Sequence, residues 1–83
     1  MEKTEILKKL QSIVANYSSL SEDQIALESD ISKDLGLDSY DIISVQFDTE
    51  KEFNISLYDD ELFDVYTIND LVNIVASKTK SLK

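Results

Sequence analysis

"DLGLDSYDIISVQFDTEKEF", residues 34–53, is the stretch on which the fold reading turns. From Ser39 onward its apolar side chains fall at helical spacing in two stripes. Ile42, Val45 and Phe53 lie close to one face, with Thr49 between them; Tyr40, Ile43 and Phe47 form the other. Asp38 is a good N-cap, and Asp41 places a negative charge in the first turn, where the helix dipole favours it. Gly36, the only glycine, lets the chain turn sharply into the helix. Residues 39–53 therefore predict a helix with two apolar stripes, one for the core and one for a partner protein. A second reading stays open for Tyr40 and Phe47: aromatics on a helix also cover a core or line a pocket.

Outward from this helix, residues 3–16 carry Ile6, Leu7, Leu10, Ile13 and Val14, followed by Tyr17, at three-and-four spacing, which predicts an amphipathic helix. Residues 17–38 show no sustained period, but Leu20, Ile25, Leu27, Ile31, Leu35 and Leu37 recur through them. That pattern predicts a long loop pinned across the bundle by these side chains. "SEDQ" (Ser21 to Gln24) suggests a capping box and a short helical turn near residues 22–26. After "NISLY" breaks the second helix, Asp59 to Asp64 predicts a short third one, with apolar contacts from Leu62, Phe63, Val65 and Tyr66. Thr67 and Asp70 form the capping box of a last helix whose Leu71, Ile74 and Val75 face inward, and "SKTKSLK" ends it as a basic tail. The expectation is one all-α domain over residues 1–83, a four-helix bundle of three main helices and one short one.

Composition narrows the chemistry. The 83 residues contain no cysteine, histidine or proline. Disulfides and zinc–thiolate sites are excluded, and the usual general base is missing. Net charge is −9, which argues against nucleic acid or an anionic membrane as partner. Nine acids against Lys51 alone fall in residues 38–64, a field suited to steering basic partners. A merely solubilising surface accounts for the same charge. The N-terminus lacks the apolar segment of a secretory signal, and no apolar run is long enough to span a bilayer. A monomeric cytoplasmic protein is the expectation.

Ser39 is the one candidate for chemistry. As a nucleophile it lacks a histidine base and the glycine-flanked elbow that would activate it. A calcium-loop reading from Asp30 fails too, since glycine falls seventh and Asp41 stands where a bidentate glutamate belongs. Weak divalent binding by the acids stays open. As a plain cap-flanking serine, Ser39 needs no further role. A phosphate ester on Ser39, however, would sit at a helix N-terminus that favours an anion. The neighbouring acids oppose that charge, so a cation or a basic protein would assist the modification.

Asp34, Leu35, Gly36, Asp38, Ser39 and Asp41, with Glu50 and Phe53 at the helix end, resemble the acyl carrier protein family, and the order of elements agrees over nearly the whole chain. The resemblance implies that Ser39 receives 4′-phosphopantetheine from coenzyme A through a magnesium-dependent phosphopantetheinyl transferase. The arm's thiol then carries acyl groups as thioesters, so the chain is not itself an enzyme and needs no cysteine. It further implies that Asp38 helps position the metal and the transferase, and that Tyr40, Asp41, Ile43, Phe47 and Glu50 meet basic, partly apolar patches on partner enzymes such as synthases. Fatty acid biosynthesis is the expected pathway. A polyketide or peptide carrier, and a non-covalent acidic adaptor, are the alternatives. Tyr40 stands where the family usually has leucine, and Ser44 and Gln46 replace commonly acidic and apolar residues.

Overall fold

In the computed structural model the helix at the N-terminus runs Lys3–Ala15 (α1) and buries Ile6, Leu10, Ile13 and Val14, the residues its period selects. The model describes residues 2–80, so the last three residues of the basic tail expected over 77–83 lie outside the described residues. α1 packs chiefly on the last helix, Ile68–Lys80 (α4), which contributes Ile68, Leu71, Val72 and Val75 to the same core. Leu71 and Val75 were expected there and Ile74 is half-buried, while Ile68 and Val72 join them unforeseen. The longest helix is Ser39–Phe53 (α2), which buries Val45, Thr49 and Phe53 and half-buries Ile42. The Thr49 hydroxyl donates to the Val45 carbonyl at 2.6 Å, so this buried polar group is satisfied within its own helix. α2 stops where Asn54 adopts φ 55°, and the Ile55 N–H bonds the Glu50 carbonyl at 3.1 Å.

The third helix is a single turn, Asp59–Leu62 (α3), shorter than the Asp59–Asp64 span expected. It ends early because the following chain is drawn into main-chain pairing. The Tyr66 carbonyl accepts the Ile31 N–H at 2.9 Å, and the Ile68 N–H donates to the Ser29 carbonyl at 3.2 Å. These bonds flank a single antiparallel bridge between Asp30 and Thr67. Alternation along this extended piece turns Tyr66 outward between the half-buried Val65 and Thr67. Tyr66 is thus no core contact, contrary to expectation, and neither is Phe63, which is 76 % exposed. A one-turn helix shows the bundle only one side, and Leu62 takes it.

The long first loop is pinned as its leucines and isoleucines predict, with one exception. Ile25, Leu35 and Leu37 are buried and Leu20 and Ile31 pack partly against the core, but Leu27 is exposed. The short turn expected near residues 22–26 spans only Glu22–Gln24, and the Ser21 N–H donates to the Gln24 side-chain oxygen at 3.0 Å. Gln11 Nε2 of α1 ties the loop by donating to the Ile25 carbonyl at 2.7 Å, and within the loop the Ser18 hydroxyl donates to the Leu35 carbonyl at 3.1 Å. The α4 start is capped as read, with the Asp70 N–H donating to Thr67 Oγ1 at 3.2 Å and the Thr67 N–H to Asp70 Oδ2 at 3.1 Å.

Gly36 has φ 68°, between the buried Leu35 and Leu37. A Cβ added there meets nothing within 4 Å, so the glycine is required by backbone conformation and not by space. Gly36→Ala is expected to cost about 1 kcal/mol, the left-handed penalty less the reduced freedom of the unfolded chain. The shift of the urea midpoint at constant slope measures it.

Candidate functional site

Ser39 is the first residue of α2 and is exposed. Asp38 caps the helix: its Oδ1 accepts the Asp41 N–H at 2.9 Å, and Asp41 Oδ2 reaches back to the Asp38 N–H at 3.3 Å. This reciprocal box holds the hydroxyl-bearing residue at the helix tip between two engaged carboxylates. The main-chain N–H groups of Ser39 and Tyr40 have no partner among the described residues. They provide donors for an anion on the hydroxyl.

Beside Ser39 runs a groove walled by Ile42, Ile43 and Gln46 of α2 and by Asp59, Leu62 and Phe63 from α3 and its end. Behind it lies a cavity of about 90 Å³, lined by Ile42, Val45, Gln46, Leu57, Leu62, Val65 and Leu71. Ile42, Gln46 and Leu62 border both spaces. Apart from Gln46 the cavity wall is apolar. The inner stripe of α2 was legible in the sequence, whereas the far wall was not. Asp59, Leu62 and Phe63 reach the groove only through the tertiary placement of α3.

The residues singled out by the sequence divide into three sets. Asp38, Ser39 and Asp41 come together in the capping box. Tyr40, Ile43 and Phe47 form an outward crest, 83 %, 49 % and 61 % exposed, so Tyr40 and Phe47 neither cover the core nor line the inner cavity. Glu50 stands apart: it is half-buried, and its Oε2 accepts the Leu57 N–H at 2.8 Å. Asp48, between them on α2, accepts the Tyr17 hydroxyl, which holds that phenol above the ordinary tyrosine range. Asp30 and Asp34 bind loop N–H groups, Asp30 Oδ1 taking those of Ser32 and Lys33 at 3.0 and 2.8 Å and Asp34 Oδ2 that of Asp30 at 2.7 Å. Among the described residues no group of three acids is gathered so as to hold a metal ion.

A family model described as a phosphopantetheine attachment site matches residues 8–75. The acyl carrier protein of Coprothermobacter proteolyticus is 32 % identical over 77 residues, covering 93 % of this chain and 94 % of that protein. The chain belongs to the acyl carrier protein family. The acyl carrier protein of Cyanidium caldarium is 36 % identical over 76 residues, covering 92 % of this chain and 88 % of that protein. A solved structure of the acyl carrier protein from Enterococcus faecalis superposes with a TM-score of 0.78 at 26 % identity, covering 94 % of this chain and 99 % of that one. This acyl carrier protein is a carrier and not a catalyst, and phosphopantetheine is its cofactor. The role requires a transferase to install that group and synthase enzymes to act on it. Among the described residues no helix is long and apolar enough to cross a membrane.

α3, which walls the groove, is fastened by one carboxylate. Glu61 Oε1 accepts the Tyr58 N–H at 3.0 Å, while Oε2 pairs with Lys78 Nζ of α4 at 2.9 Å. The Lys78 hydrogen bond, helped by the Tyr58 N–H, holds the Glu61 carboxyl below its ordinary value of 4.5. A carboxyl depressed by folding contributes stability in full above its unfolded value and loses it as pH falls through the folded one. The stability difference between the native chain and Glu61→Gln, present at neutral pH, is therefore expected to close as pH falls below 4.5. Urea midpoints of both proteins across the carboxylate range measure it.

Proposed function

We propose that Ser39 is the residue that receives 4′-phosphopantetheine, and that the chain works as a single monomeric carrier domain in fatty acid biosynthesis. The exposure of the Ser39 hydroxyl at a capped helix start is the observation that carries this reading. A buried hydroxyl would be closed to any modifying enzyme. Two features of the site fit the group. The unpartnered N–H groups of Ser39 and Tyr40 suit its phosphate, and the groove and cavity offer apolar shelter to an acyl chain. When attached, the arm supplies a thiol that holds acyl groups as thioesters. The residues of the chain then have three tasks. Asp38 and Asp41 hold Ser39 at the helix tip. Ile42, Val45 and Leu62 keep water from the chain it bears. The third task is docking, which gives the tethered cargo a high local concentration at each enzyme.

Docking is assigned to Tyr40, Ile43 and Phe47 as an apolar crest, with Asp38, Asp41 and Glu50 contributing negative potential around it. Basic patches on the transferase and on synthase enzymes complement this surface. Because Asp41 and Glu50 also bind main-chain N–H groups, their positions are fixed before any partner arrives. Electrostatics of this kind speeds encounter and permits rapid release.

Incubation with coenzyme A, magnesium and a broad-specificity phosphopantetheinyl transferase is expected to add one phosphopantetheine to the intact mass, and Ser39→Ala is expected to gain nothing. A native chain left unmodified by an active transferase would point instead to a non-covalent adaptor. The crest has its own test. Phe47→Ala removes an exposed ring and is expected to leave helicity unchanged while raising the transferase KM for the carrier roughly tenfold, about 1.4 kcal/mol. Added salt is expected to raise KM in the native chain as well.

A further inference from the structure

Gln46 stands where the outer groove meets the inner cavity, and it supplies the one polar side chain of the cavity wall. Its Nε2 donates to the Leu57 carbonyl at 2.9 Å. One turn further along α2, Glu50 accepts the Leu57 N–H at 2.8 Å. Both main-chain groups of Leu57 are thereby held by α2, and the Gln46 amide lies as a crossbar between α2 and the segment leading into α3. The amide oxygen of Gln46 has no hydrogen-bond partner among the described residues.

An alkyl chain passing from Ser39 into the cavity crosses a boundary formed by Ile42, Leu62 and this amide. Widening the passage breaks the bond to Leu57 and leaves a part-buried carbonyl without its donor, which is unfavourable. The space behind is small: about 90 Å³, against the ~150 Å³ of an apolar cavity that admits benzene. We propose that Gln46 is a specificity-determining residue for the carried group, confining internal shelter to short acyl chains. Longer chains remain in the outer groove, against the exposed Ile43 and Phe63. The inference rests on the assignment of Ser39 as the attachment residue.

The test loads the native chain and Gln46→Met with butyryl-, octanoyl- and palmitoyl-phosphopantetheine and records thermal midpoints against the unacylated holo forms. Methionine keeps the length of the side chain and removes both the hydrogen bond and the polarity. In the native chain butyryl is expected to raise the midpoint, with octanoyl and palmitoyl adding nothing more. In Gln46→Met octanoyl is expected to add a further rise of roughly 4 °C or more. Equal plateaus in the two proteins, or a native midpoint that climbs steadily with chain length, overturn the proposal. Intact mass before each scan separates the two assignments. A chain that takes up no mass overturns the attachment reading and this one together, whereas a loaded chain with equal plateaus overturns this one alone. Should Gln46→Met fail to fold, Gln46→Asn, too short to reach Leu57, carries the same comparison.

Discussion

The main-chain pairing between the first loop and the start of α4 is the interaction on which the other features depend. A loop of this length cannot satisfy its own N–H and carbonyl groups, and unpaired ones held away from water are costly. Ile31, Ser29 and Leu27 solve the problem by exchanging bonds with Tyr66, Ile68 and Asn69. With those contacts made, Leu35 and Leu37 reach the core on either side of the left-handed Gly36. The chain then arrives at Asp38 in the extended conformation a cap requires. Ser39 owes its position to this sequence of constraints, none of which involves the serine itself.

The acids serve two purposes at once. A chain with one glycine and no proline has few residues that bend the backbone by their own nature. Here carboxylates take over part of that task, accepting N–H groups at the helix starts and in the loop: Asp30, Asp34, Asp38, Asp41, Glu50, Glu61 and Asp70 all do so. Asp70, bonded by the Tyr66 and Thr67 N–H groups, is held below the ordinary carboxyl range in consequence. Lysines from α1 and α4 also lean toward the acidic segment, Lys9 to Glu52 at 2.8 Å and Lys78 to Glu61 at 2.9 Å. The negative potential offered to partners is thus built from groups the fold already holds in place, which limits the side-chain freedom lost on docking.

What could be read from the sequence is what local spacing encodes. The three long helices, the Asp38 cap, the Thr67–Asp70 box, the turn at Gly36 and the outward stripe of Tyr40, Ile43 and Phe47 all follow from relations within a few residues, whereas the return bond, in which Asp41 accepts the Asp38 N–H, was not foreseen. What could not be read depends on partners distant in sequence. Phe63 and Tyr66 are as apolar as the residues that are buried, and only the loop pairing and the brevity of α3 decide that they face water. Asn54, a residue that tolerates positive φ, is itself a local stop signal at the end of α2. The hold of Gln46 and Glu50 on Leu57 joins side chains to main chain across the bend after α2, and no periodicity records it. The serine was therefore plain in the sequence, while the groove and cavity beside it were not.

Tyr40 is the immediate neighbour of Ser39 and is 83 % exposed, in a chain with four tyrosines and no tryptophan. Its phenol emission is therefore not masked by an indole. Of the remaining three, Tyr17 is tied to a carboxylate, a quencher of such emission, while Tyr58 and Tyr66 are exposed and emit with it. Substituting Phe for the tyrosines at 58 and 66 leaves Tyr40 as the exposed phenol, an optical probe beside Ser39 that needs no attached dye.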